Sequence, residues 1–290
     1  MTNKISLPAG VAQTNLITLY ARALESQRDD ALLRDERAVE LVQEIDYDWT
    51  RIQLGEEDRV GLALRGLEMD RLCRDFMGRH PGGCAVHIGC GLDTRFWRVD
   101  DGQVLWYDLD LPQVIEGRRE LIGGEQARYR MLASSVLDES WMHTLSCQQC
   151  GQVLFVAEGV LMYLQPQQVR WLVAMLARRF AGSELVCDAV TPYYRFVNNV
   201  KSLLSHSTAR THWAIQRPEE LERWGEGIRL LESYYYLNQD EPRLADHRWV
   251  RRVPFLARGS GVYRYRLGQA RGASGQLGCD ESTGDAKEEQ

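Results

Sequence analysis

The chain has 290 residues, 44% of them apolar and 26% charged, with a formal net charge of −6. That composition belongs to a globular protein with one large core, and it excludes wholesale disorder, a collagen-like repeat and a membrane bundle. The acidic balance argues against a general nucleic-acid binder, and no window approaches the roughly 20 apolar residues of a membrane helix. The most apolar stretch, 153–164, is interrupted by Glu158 and Gly159. The start, Met-Thr-Asn-Lys, meets Pro8 and Gly10 before any apolar run forms, so the expectation is a soluble, cytoplasmic chain without a signal peptide. The seven cysteines are odd in number and scattered, which predicts free thiols in a reducing compartment. Cys147 and Cys150 form a lone CxxC with no second pair at zinc spacing, and it reads as a loop.

In chain order, Leu16, Leu19, Tyr20, Ala23 and Leu24 share one helical face behind a cap at Thr14 or Asn15. A second helix is predicted over about 60–78, stopped by His80-Pro81-Gly82-Gly83. From residue 84 the texture changes to short apolar runs at 84–88, 104–107, 129–133 and 152–157, then a helical pattern over 167–180 and a strand at 184–190. Strands alternating with helices predict a parallel sheet covered on both faces. Residues 191–216 are polar and aromatic and fit a lid insertion. Pro218 opens a short helix, and 230–237 with 262–267 predict a final antiparallel pair at one edge. The division expected is a helical cap over 1–80 that contributes to the active site, a core over 81–268, and a disordered tail over 269–290.

The first run ends in Gly89-Cys90-Gly91, and two acids, Asp108 and Asp110, end the next one. Glycines after a first parallel strand let backbone approach a ligand, and a carboxylate at the next strand end is placed for ribose hydroxyls. The dinucleotide fingerprint wants a third glycine where this chain has Thr94, beside Asp93. A carboxylate there repels a pyrophosphate but suits a ligand carrying an ammonium and a sulfonium, such as S-adenosylmethionine.

The run Val86-His-Ile-Gly-Cys-Gly-Leu-Asp-Thr-Arg-Phe-Trp-Arg98 resembles the first motif of the leucine carboxyl methyltransferase family. More closely, it resembles the bacterial branch that includes tetracenomycin-type polyketide carboxyl O-methyltransferases. Asp108-Leu-Asp-Leu-Pro112, the run 156–164, residues 14–26 and residues 252–258 extend the resemblance over about 10–268. It implies an α/β, doubly wound, mostly parallel seven-stranded sheet of the Rossmann-like methyltransferase kind, with an N-terminal helical extension and a lid insertion. It implies S-adenosylmethionine as cofactor, with Gly89 and Gly91 along its methionine part, Asp110 (or, as second candidate, Asp108) at the ribose, and Glu158 near the methionine ammonium.

Arg65 shares a helix face with Met69, Leu72 and Phe76, so its guanidinium needs a carboxylate partner. The family places an arginine here for the methionine carboxylate; a protein carboxylate is the alternative. Arg22 falls where the family has a basic residue facing the active site. Where leucine-methylating members have an Asp-Leu pair framing the adenine, this chain has Ser135-Val136. The activity implied is methyl transfer to the carboxylate of a small-molecule acid. A carboxylic acid is ionised at neutral pH and needs no base, so Tyr163 and Arg22 are the candidate substrate-orienting residues, with Tyr193, Tyr194 and Trp213 in the lid. A phenol or alcohol would need a base, for which His206 and His212 are candidates, while His87 reads as a satisfied core histidine. Elimination or cyclisation of the sulfonium, and cofactor binding without turnover, stay open. No membrane or nucleic-acid partner is expected, and the oligomeric state is not legible.

Overall fold

A computed structural model describes residues 4–6, 13–147, 151–204 and 209–269. Seven strands form one sheet: β1 (Cys84–Ile88), β2 (Leu105–Asp110), β3 (Tyr129–Ala133), β4 (Val153–Ala157), β5 (Ser183–Val190), β6 (Arg229–Tyr234) and β7 (Ser260–Leu267). Their order is β3-β2-β1-β4-β5-β7-β6; β1 to β5 are parallel, and β7 runs antiparallel to both neighbours. Registry is regular through the centre, with Val86 opposite both Tyr107 and Phe155. Every residue of β1, β4 and β5 is buried, as expected for parallel strands covered on both faces. Edge strand β6 alternates exposed and half-buried.

The helices are α1 (Gln13–Ser26), α2 (Glu36–Glu44), α3 (Glu56–Arg79), α4 (Arg95–Val99), α5 (Pro112–Ile122), α6 (Ser140–Cys147), α7 (Pro166–Arg179) and α8 (Pro192–Leu204). In α7, Pro166 sits at the first helical position and Val169, Leu172, Val173 and Leu176 face the sheet. Burying each such side chain contributes about 1.5–3 kcal/mol. This face also packs Trp141 of α6 and Phe155 of β4. On the opposite face, Met69, Leu72 and Phe76 of α3 pack against Ala85 and Val156. The strand order reverses between β1 and β4, and the crevice there, at the carboxyl ends, is the ligand position of such sheets.

The structure departs from the sequence reading in several places. Helix α1 begins at Gln13, so Thr14 and Asn15 lie inside it rather than capping it. Helix α2 was not anticipated; it is capped by Asp35, whose carboxylate accepts from the Ala38 N–H. The 191–216 segment opens with α8, and Trp213 is 3% exposed in the core rather than facing a site. His206, and the tail from residue 270, lie outside the described residues. Cys73, Cys90 and Cys187 are free and buried. Cys84 is disulfide-bonded, against the expectation of free thiols throughout.

Candidate active site

Gly89 and Gly91 follow β1 with φ of +63° and +49°, the left-handed region that glycine enters without steric cost. A Cβ on Gly89 would stand 2.3 Å from Val160 Cγ2, and one on Gly91 2.8 Å from Asn15 Oδ1. The turn is pinned from β2: Gly89 N–H donates to the Leu109 carbonyl at 2.7 Å, and Gly91 N–H to Asp110 Oδ2 at 2.8 Å. Asp110 Oδ1 accepts from the Leu111 N–H, and burial raises the pKa of this carboxyl.

A cavity of about 280 Å³ opens at this turn. Gly89, Gly91, Asp93, Glu158 and Gly159 form its sheet-edge wall, and Asn15, Arg22 and Arg65 come from α1 and α3. Tyr163, 41% exposed, stands at its mouth.

Beneath the cavity lies a lattice of paired charges. Arg65 Nε donates to Glu158 Oε1 and its Nη1 to Asp188 Oδ2, each at 3.0 Å. Arg65 Nη2 donates to no acceptor among the described residues. Asp188 Oδ1 also accepts from the Gly159 N–H at 2.7 Å, so one carboxylate on β5 fixes both the arginine and the loop after β4. Arg95 is wholly buried and bonds Asp70 at 2.7 Å and Glu158. Arg98 joins Asp70, Asp35 and Asp93. Burial alone would raise the Glu158 pKa, but the guanidiniums of Arg65 and Arg95 hold it down to about 2. Asp93, equally buried, is held well below the usual carboxylate range by Arg98, Arg95 and Arg22.

The structure thus brings Gly89, Gly91, Arg65, Glu158, Tyr163 and Arg22 to one cavity. Arg22 is tied by Nε to Asp35 and by Nη2 to the Leu92 carbonyl, both at 3.0 Å. Asp110 stands behind the glycine turn. Asp108 is not brought to the cavity: it is fully buried and accepts from Trp106 Nε1, Tyr129 OH and Arg118. Ser135 and Val136 stand after β3 outside the cavity wall; Ser135 Oγ accepts from the Leu137 N–H, and Val136 packs on the core. His212 is exposed, its backbone N–H donating to the Met162 carbonyl.

His87 reaches the wall, yet its Nδ1 has no hydrogen-bond partner, standing 3.6 Å from Asp108. The core placement agrees with the sequence reading, but the satisfied ring that reading expected is not found at Nδ1. Asp188 escaped the sequence reading although an acid inside Leu185-Val-Cys-Asp-Ala-Val190 carries the same signal that marked Glu158. The partners of Arg95 and Arg98 had no local signal.

A doubly wound sheet with a charged cavity under a glycine turn at its switch point defines an α/β enzyme of the nucleotide-cofactor class. A family model described as leucine carboxyl methyltransferase matches residues 15–177. The chain is 34% identical over 265 residues to the tetracenomycin polyketide synthesis O-methyltransferase TcmP of Streptomyces glaucescens, covering 88% of this chain and 96% of that protein. It is 30% identical over 268 residues to the S-adenosyl-L-methionine-dependent methyltransferase dpfgK of Gibberella zeae, covering 85% and 89%. In fold it is similar to the crystal structure of a DUF574 family protein from Streptomyces avermitilis, with a TM-score of 0.56, 14% identity, and coverage of 88% and 97%. The chain belongs to the leucine carboxyl methyltransferase family. It is a methyltransferase whose cofactor is S-adenosylmethionine.

The wall fits that cofactor in kind. Glu158 and Asp93 offer carboxylates to an ammonium, Arg65 Nη2 offers a donor to a carboxylate, and the two glycines leave the space that side chains would fill.

Proposed function

We propose that this chain transfers the methyl group to a carboxylate oxygen of a small-molecule acid. The observation that carries this reading is the absence of a poised base at the cavity among the described residues. Asp93 and Glu158 are locked in ion pairs that depress their pKa values, which makes them poor proton acceptors near neutrality. His87 touches the cavity wall but is only 1% exposed, its ring set between Asp108 and Asp93. Such a wall suits a nucleophile that ionises unaided, as a carboxylic acid does with a pKa near ~4.

Bound S-adenosylmethionine supplies an electrophilic methyl on sulfur. The chain's residues then hold and align. Glu158 and Arg65 take the amino-acid end, Asp110 the ribose, and Tyr163 at the mouth orients the incoming carboxylate. Arg22, fixed by Asp35 and the Leu92 carbonyl, keeps α1 closed over the glycine turn. Alignment of this sort and removal of water contribute on the order of 7–11 kcal/mol to such reactions.

The name of the relative TcmP, a polyketide synthesis O-methyltransferase, supports oxygen as acceptor and a polyketide-like secondary metabolite as substrate class. The test is incubation with S-adenosylmethionine and matched panels of aromatic acids and phenols. Methyl esters appearing with equimolar S-adenosylhomocysteine support the proposal. Methyl ethers from phenols alone, or methylthioadenosine formed without acceptor, would overturn it, as would tight cofactor binding with no turnover on any acid.

A further inference from the structure

A second, larger cavity of about 590 Å³ shares no lining residue with the first. It lies past the end of β5, between two banks of backbone. One bank is Ile215–Arg223, fixed by Ile215 N–H to the Val190 carbonyl, Tyr265 OH to the Pro218 carbonyl at 2.8 Å, and the Glu220 carboxylate accepting from the N–H groups of Gln216 and Arg217. The other is the turn at 254–259, held by Tyr194 OH to the Leu256 carbonyl and by Thr191 N–H to the Gly259 carbonyl. Tyr263 and Tyr235 meet edge to face at 5.9 Å along the wall, and Phe255, half exposed, completes an aromatic lining.

Arg217, Arg223 and Arg258 reach this cavity, and Arg170 lines the adjoining hollow with the first two. None of the four has a carboxylate partner among the described residues, and Arg258 instead lies over the Tyr235 ring at 6.0 Å. Glu219 and Glu220 also line the cavity, leaving the arginines in excess. Like charges gathered on a concave, aromatic wall repel one another until an anion joins them. An independent observation points the same way. Thr191, 9% exposed and lining this cavity, has a buried Oγ1 with no hydrogen-bond partner, and an unmet buried hydroxyl costs free energy unless something bonds it.

We infer that this cavity is a second ligand site, separate from the methyl-transfer cavity, for a planar aromatic molecule carrying two or more oxyanions, carboxylate or phosphate. The guanidinium forks take the oxyanions, the aromatic wall takes the ring, and Thr191 bonds one anionic oxygen. The volume is that of a typical small-molecule pocket.

Titration calorimetry of the full chain tests this with benzene-1,3,5-tricarboxylate and resorcinol bisphosphate as probes, and with benzoate and pyrophosphate as controls. At least one ring polyanion is expected to bind at one site, at least tenfold more tightly than either control, and more weakly as salt rises. Which of the two binds identifies the oxyanion. The double variant Arg217→Gln/Arg258→Gln is expected to weaken it tenfold or more without changing affinity for S-adenosylhomocysteine. Thr191→Val, nearly isosteric, is expected to weaken it about threefold. Saturating S-adenosylhomocysteine is expected to leave probe binding unchanged. Failure of both probes to bind, equal binding of pyrophosphate, indifference to the double variant, or competition with S-adenosylhomocysteine would each overturn the inference. Failure of the methylation reading leaves these outcomes as they are, because no arm requires turnover.

Discussion

Two regions of this molecule are rich in arginine and treat it in opposite ways. Under the glycine turn, Arg95 is buried, Arg65 and Arg98 are largely so, and each meets at least two carboxylates. Around the second cavity, Arg217, Arg223 and Arg258 are exposed and meet none among the described residues. Buried guanidiniums without partners would be intolerably costly, so the first region spends its charge on holding itself rigid. Exposed ones cost little and stay available. Pairing thus separates charge that builds a site from charge that waits for a ligand.

That contrast can be broken most forcefully at Asp70, which joins Arg95 to Arg98 from α3. Asp70→Ala is expected to cost about 3–5 kcal/mol of stability, read by urea denaturation, because it strands two buried cations. Acid should act in the same region. Glu158 ionises near 2 in the folded chain against an ordinary 4.5, so its contribution is complete above about pH 4.5 and is lost as pH falls toward 2. Linkage puts that loss at about 3 kcal/mol. Asp188 pulls the other way, since burial raises its pKa. Comparing the acid limb of stability for the native chain and Glu158→Gln isolates the former, and an unchanged limb would remove Glu158 from the account.

Arg65→Ala should weaken S-adenosylhomocysteine binding by about 2–3 kcal/mol, the scale of losing a partly buried charged contact, as measured by calorimetry. Gly89→Ala forces a left-handed alanine against Val160 and is expected to cost about 1–2 kcal/mol in backbone strain alone, with affinity falling alongside. At the far end of the scale, Arg223→Gln should leave stability within about 0.5 kcal/mol of the native chain. A larger loss would show that the second region is paired after all.

The same contrast explains what was legible in the sequence. The central strands showed because they are short apolar runs, as in β1 closed by Gly89 and β2 closed by Asp110, and the mostly parallel seven-stranded sheet followed from the resemblance. Cavity residues showed where a local pattern carried them: the glycines of 89–91, and Glu158 inside an apolar run. Arg65 was legible as a buried cation, but its partners are 93 and 123 residues away, and no spacing rule reaches that far. Asp108 and Asp110 point to the same face of β2, so periodicity could not separate them. What separates them is depth: Asp108 meets Arg118 and Tyr129 inside the fold, and Asp110 meets the glycine turn at the strand's end. Helix α2 was missed because its few apolar residues are spread among acids, and only its Asp35 cap marks where it starts.

The order in which the cavity's walls occur along the chain has its own consequence. Asn15, Arg22 and Arg65 precede the first sheet strand, whereas Gly89, Gly91 and Glu158 follow or end strands of the sheet. A fragment starting at residue 81 would keep every strand of the seven and lose one whole side of the pocket. Domain boundaries chosen from the sheet alone would therefore yield material with one apolar sheet face bared and the α1 and α3 wall of the cavity missing. The stretch of chain that carries the whole cavity wall begins at α1, well ahead of the part that the strand pattern announces.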